Sequence, residues 1–190
     1  MRIGLYFGSF NPVHHGHLII ASHMVNFTDL QRVWFVVSPQ NPFKQSASLL
    51  NERHRKHLVD LAVEDDINLK TCDIEFKLPR PSYTIDTLIH LEERYPQHEF
   101  TVIMGSDSFQ NIKKWKNGDL LIKNYPIKIY LRSGFPVDPT MLKHRIEVVE
   151  APILQISGTL IRKLIKDRKS IRYLVPEKVR EEIENQQFYF

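Results

Sequence analysis

The chain of 190 residues carries 26 Lys and Arg against 22 Asp and Glu, a formal charge of +4, with 42% hydrophobic and 25% charged residues. That length suits one domain around one core, and that composition excludes a largely disordered chain. The mild positive balance suits small anionic ligands better than a nucleic acid, and no apolar run nears the roughly 20 residues that span a bilayer.

The first element is a strand over residues 3–7, bounded by Gly8. Its flank MRIGLYFG lacks the long apolar core and cleavage site of a signal peptide, which reads as cytoplasmic. Leu18, Ile19, Ala21, Met24 and Val25 follow helical spacing, and 33–37 is a second apolar strand stopped at Ser38-Pro39. Strand, helix and strand within about forty residues make a βαβ unit, so a parallel sheet is expected. Residues 39–49 read as irregular. A helix follows over 51–64, with Leu58, Leu61 and Ala62 on one face and the basic residues from Arg53 to Lys56 on a solvated one.

The pattern predicts a strand over 68–76, a helix over 84–94 stopped at Tyr95-Pro96, and a strand over 100–104 ending at Gly105. The single cysteine, Cys72, allows neither an internal disulfide nor a multi-cysteine metal site. A helical stretch around 112–115, strands over 127–131 and 146–149, and helices over 159–166 and 176–185 complete the chain. The fold class is therefore α/β, a doubly wound parallel sheet in one domain over 1–190, with 155–190 as its helical C-terminal subdomain.

Such folds bind ligands at the carboxyl ends of their strands, where helix N-termini favour anions. The first strand ends in Gly8-Ser9-Phe10-Asn11-Pro12-Val13-His14-His15-Gly16-His17, just before a helix. Gly8, Ser9 and Gly16 let backbone approach a phosphate, and the spacing of His14 and His17 aims both imidazoles at one anion. An ordinary capped turn also fits that pair alone. Zinc fits poorly, because no cysteine or acidic partner lies nearby. Ile156-Ser157-Gly158-Thr159-Leu160-Ile161-Arg162 forms a second hydroxyl-rich helix start, where Ser157 or Thr159 caps and Arg162 reaches the same anion. Of the seven glycines, Gly8, Gly16, Gly105 and Gly158 fall in these segments or at a strand end. Glycine therefore reads as reserved for close approach of backbone to ligand.

Together the two phosphate segments resemble those of the α/β phosphodiesterase nucleotidyltransferase superfamily. Pro39-Gln40-Asn41-Pro42-Phe43-Lys44, Ser82-Tyr83-Thr84-Ile85-Asp86-Thr87-Leu88, Gly105-Ser106-Asp107-Ser108, Trp115, Arg132-Ser133-Gly134 and Ile171-Arg172-Tyr173-Leu174-Val175-Pro176 occur in the order found in nicotinate mononucleotide adenylyltransferases. The resemblance spans residues 3–180, and the Ser-Tyr-Thr-Ile-Asp-Thr-Leu run is its most diagnostic part. Class I aminoacyl-tRNA synthetases need far longer chains, and phosphopantetheine or cytidylyl-transferring relatives are not expected to combine that run with the tryptophan.

The resemblance implies transfer of AMP from ATP to nicotinate mononucleotide, with a different phosphorylated acceptor as the alternative within the superfamily and a nucleotide-binding regulator as the alternative outside enzymes. It implies His14, His17 and Arg162 as the catalytic groups. Gly8, Phe10, Gly16, Gly105, Asp107, Arg132, Ser157 and Thr159 would bind ATP. Ser9 and Lys44 would take the mononucleotide phosphate, with Thr84 beside the pyridine carboxylate and Trp115 stacked on its ring. Mg²⁺ would arrive on the ATP phosphates, without a metal site of the protein's own. Neither a nucleic acid nor a membrane is an expected partner, and homo-oligomerisation is left open. Two positions depart from the family pattern: Gly158 replaces a serine, and Asn11 stands where many relatives have aspartate.

Overall fold

The computed structural model describes residues 1–39, 49–142, 145–152 and 154–190. Lys44 lies outside them, as does nearly all of the segment expected to be irregular. Strands β1 (Arg2–Gly8), β2 (Arg32–Val37), β3 (Leu69–Cys72), β4 (Glu99–Gly105), β5 (Ile127–Tyr130) and β6 (Ile146–Val149) form one sheet in the order β3-β2-β1-β4-β5-β6. Every pairing is parallel, as the near-continuous apolar strands require when both sheet faces are covered.

The alternation along β1 and β2 sorts the core onto two faces. Tyr6, Val33, Phe35 and Val37 pack with α1 (His15–Phe27), α2 (Glu52–Val63), α6 (Gly158–Lys166) and α7 (Glu177–Asn185). Ile3, Leu5, Trp34 and Val36 pack with α3 (Thr84–Arg94), α4 (Ser106–Phe109) and α5 (Gly118–Asn124). Ile161, Ile165, Val179 and Ile183 from α6 and α7 thus share one core with the first two strands. Among the described residues, no helix is long and apolar enough to cross a membrane.

Helix α3 and strand β6 occupy the expected residues. The strand expected over 68–76 stops at Cys72, and Ile74–Lys77 makes a 3-10 turn instead. This edge strand has only β2 to pair with, and β2 itself ends at Val37, ahead of Pro39, which has no N–H for a ladder. The helical stretch expected around 112–115 is a 3-10 turn over Ile112–Lys114, and α4 before it and α5 after it are unanticipated. A seven-residue helix burying only Gly118 and Leu121 is too short for its periodicity to show. In α2, Arg55 is fully buried, correcting the assignment of the whole basic run to a solvated face.

Candidate active site

The sheet order sets the carboxyl ends of β1 and β4 side by side, where the winding reverses and such folds hold ligands. Three cavities lie at this edge, and Tyr6 and Tyr130 line all of them. The Tyr6 hydroxyl donates to that of Tyr130 over 3.3 Å, with both residues buried. Burial, and after it the neighbouring Tyr130, pushes the Tyr6 hydroxyl well above its ordinary range and keeps it protonated.

The central cavity lies between the β1 turn and the start of α6. His14 is the N-cap of α1, and its ring stacks on that of His17 with centroids 3.7 Å apart and planes 22° from parallel. The His14 backbone N–H donates to His17 Nδ1 at 3.3 Å, so a neutral His17 carries its proton on Nε2. His14 Nδ1 is buried and has no hydrogen-bond partner among the described residues. Burial, followed by the charges of Arg132 and His15, lowers His14 to about 4, and burial with its neighbour His14 holds His17 well below the usual range. Both rings are therefore neutral in the free protein at pH 7. An arriving polyphosphate reverses that balance by stabilising the imidazolium forms.

Opposite them, the Ser157 hydroxyl caps α6 by accepting from the Leu160 N–H at 3.2 Å. The Gly158 and Thr159 N–H groups have no acceptor inside the helix and donate to no backbone acceptor among the described residues. Arg162 donates to the Asn11 carbonyl at 2.7 Å and reaches the Thr159 hydroxyl at 3.4 Å, with the rest of its fork unspent. The two departures from the family pattern prove to touch. A Cβ on Gly158 would lie 2.6 Å from the Asn11 carbonyl oxygen, so a serine there would have to displace the turn that anchors Arg162. The Asn11 side-chain oxygen accepts in turn from the Leu50 N–H at 3.2 Å and the Tyr189 hydroxyl at 2.8 Å.

A second cavity is lined by Gly16, Ser133, Asp107 and Arg132 together with apolar Ile20, Leu131, Phe135 and Leu154. Arg132 Nε lies 3.5 Å from Asp107 Oδ1, and its backbone N–H donates to Ser106 Oγ at 2.9 Å. Any Cβ on Gly105 would collide with the Asp107 carboxylate. Gly105 and Gly158 thus border cavities and also make room for the protein's own polar groups, a second reason for glycine at both positions. The third cavity contains Thr84, Trp115, Tyr83, Lys116, Phe7, Gly8 and, at its buried edge, Glu75. Glu75 is 2% exposed and accepts from Ser82 Oγ at 2.6 Å and Thr87 Oγ1 at 3.0 Å. Burial pushes its carboxyl up, while these hydroxyls and that of Ser38 pull it back.

The structure brings His14, His17, Ser9, Phe10, Ser157, Thr159 and Arg162 to the central cavity and Thr84 and Trp115 to the third. Gly105, expected beside ATP, borders the third cavity, whereas Asp107 borders the other two. The Phe10 ring belongs to the core, edge-on to Tyr6 and His17, so only its backbone is available to a ligand. Tyr6, Tyr130, Glu75, Lys116 and Asn11 were not among the expected site residues. Tyr130 closes β5, and its strand-end position was the available signal.

The cytidylyltransferase-like family model matches residues 5–164. The chain is 49% identical over 191 aligned residues to the "Probable nicotinate-nucleotide adenylyltransferase" of Flavobacterium johnsoniae, covering 100% of this chain and 99% of that one. It is 48% identical, with the same coverage, to the protein so named from Flavobacterium psychrophilum. The chain belongs to the cytidylyltransferase-like family, among the nicotinate-nucleotide adenylyltransferases. The fold of this family is also that of a solved structure, the Plasmodium falciparum nicotinic acid mononucleotide adenylyltransferase complexed with NaAD. The two superpose with a TM-score of 0.83 over 99% of this chain and 97% of the other, at 21% identity. The three cavities meet at the strand ends, where Tyr6 and Tyr130 line each of them.

Proposed function

We propose that the enzyme transfers AMP from ATP to the 5'-phosphate of nicotinate mononucleotide, forming nicotinate adenine dinucleotide and pyrophosphate, with the residue roles that follow. The observation that carries these roles is the central cavity, where the buried His14 and the half-buried His17, stacked and neutral, face Arg162 and the start of α6. An oxygen of the mononucleotide phosphate attacks the α-phosphorus of ATP. The bond from that phosphorus to the bridging oxygen of the β-phosphate breaks, and pyrophosphate leaves. No protein nucleophile is needed, so catalysis rests on position and on charge.

His17 donates from Nε2 to the α-phosphate, and His14 Nδ1, orphaned in the free protein, gains a phosphate partner. Arg162, with the Gly158 and Thr159 N–H groups, holds the β- and γ-phosphates as they become the leaving group. The adenosine occupies the second cavity, with Asp107 and Arg132 at its polar edge. The pyridine ring enters the third cavity beside Trp115, and its carboxylate meets the N-terminus of α3 at Thr84. Ser9 borders the central cavity, where the acceptor phosphate must arrive. Mg²⁺ enters as the counter-ion of ATP and so as part of the substrate. Among the described residues, no group of three or more His, Cys, Asp or Glu side chains is placed to hold a metal.

The test is to measure pyrophosphate release from ATP with nicotinate mononucleotide, nicotinamide mononucleotide and phosphopantetheine as acceptors. Release with nicotinate mononucleotide above the other two is expected. A preference for phosphopantetheine would overturn the assignment of the third cavity.

A further inference from the structure

Arg55, on the first turn of α2, is the largest fully buried side chain among the described residues, and its surroundings are unusual for a guanidinium. Among those residues it makes four hydrogen bonds, and all of them go to backbone carbonyls. Nε donates to Leu50 at 2.8 Å, Nη1 to Ser38 at 2.9 Å and also to Ser9, and Nη2 to Pro39 at 2.9 Å. Among the described residues it forms no salt bridge with a carboxylate. One side chain therefore ties the ends of β1 and β2 to the start of α2, directly behind the phosphate turn.

The bond to Ser9 has a geometric consequence. The peptide between Ser9 and Phe10 is trans, so its carbonyl and its N–H point in opposite directions. With the carbonyl drawn back onto Arg55, the Phe10 N–H is turned away from Arg55, and Phe10 lines the central cavity. That N–H donates to no protein acceptor among the described residues. Phe10 also holds φ at 44°, a left-handed conformation that a bulky residue keeps only when its surroundings impose it.

We propose that Arg55 is a positioning residue for adenylyl transfer: it turns the Ser9–Phe10 peptide so that the Phe10 N–H meets a phosphate oxygen, and it backs that turn with a buried positive charge. The proposal rests on the adenylyltransferase reading above. A lysine keeps the charge but cannot span carbonyls on three segments, so Arg55→Lys separates charge from geometry.

The experiment follows the Phe10 amide resonance in ¹⁵N-labelled protein as inorganic pyrophosphate is added, alongside steady-state kinetics of wild type and Arg55→Lys. In wild type the Phe10 amide is expected to shift markedly on addition. In Arg55→Lys that shift is expected to shrink, and kcat to fall about tenfold or more with a smaller change in the KM for nicotinate mononucleotide. A merely structural role would lower the melting temperature without moving the Phe10 response. A Phe10 resonance in wild type that ignores pyrophosphate overturns the proposal even if the variant fails to fold, as does a folded Arg55→Lys with wild-type turnover. Absence of turnover in wild type would instead overturn the reading on which the proposal rests.

Discussion

The central and third cavities meet at Tyr6 and Tyr130 but are built from opposite materials. The central one sets imidazoles, Arg162 and the first N–H groups of α6 around a space for anions, and its side chains are held mainly by backbone carbonyls and amides. The third is walled by Phe7, Tyr83 and Trp115, and its buried charge is a carboxylate, Glu75, held by hydroxyls. The difference separates two tasks. On the roles proposed above, charge that grows during transfer would be met on one side, and the identity of the acceptor read on the other.

Substitutions should therefore divide between turnover and acceptor affinity. His17→Ala is expected to lower kcat by about a hundredfold or more while the protein keeps its fold, because it removes a donor to the α-phosphate. Near-wild-type release of pyrophosphate by the folded variant would break the division.

The buried His14 also sets a pH dependence of stability. His14 titrates near 4 in the fold against 6.5 when unperturbed, so between these values the unfolded chain holds more protons. Stability is then full above about pH 6.5 and declines toward pH 4, by roughly 3 kcal/mol for this group. Denaturant unfolding at pH 7 and pH 4.5 should reveal the loss, and pyrophosphate should reduce it by raising the histidines. A loss equally large in saturating pyrophosphate would argue that neither ring meets phosphate.

On the other side, Trp115→Ala is expected to raise the KM for nicotinate mononucleotide about tenfold and leave that for ATP nearly unchanged, through lost ring contact. The smallest effect belongs to Glu75→Gln, for which a rise of about threefold in the same KM is expected, since the amide keeps one acceptor for the hydroxyls of Ser82 and Thr87. Equal changes in both KM values, in either variant, would mean that the third cavity is not a separate acceptor site.

Much of this arrangement is legible in the chain itself. The turn around His14 and His17 declares its place because it follows an apolar strand and precedes a helical repeat, and α3 declares its end at Tyr95-Pro96. Arg55 is harder to see. It lies three and four residues before Leu58 and Val59, hence on the buried face of α2, but the acceptors that justify burying it are carbonyls of three other segments. Glu75 hides for a similar reason, because its hydroxyl partners belong to the loop before α3 and to the helix itself. The contact between Asn11 and Gly158 joins positions at opposite ends of the chain, and nothing local to either announces it. Local pattern reports which elements form. Which polar groups they trap is decided by the packing.

The pair Tyr6 and Tyr130, common to all three cavities, bears on how the reaction ends. On the proposed placement, each substrate would enter on its own side of the two rings, whereas the dinucleotide would pass beside them and occupy both sides at once. It is a bivalent ligand made from two monovalent ones, and once one half lets go the tether keeps it at a high effective concentration near its own subsite. That tether makes departure of the finished product the step most suited to set the pace of the cycle.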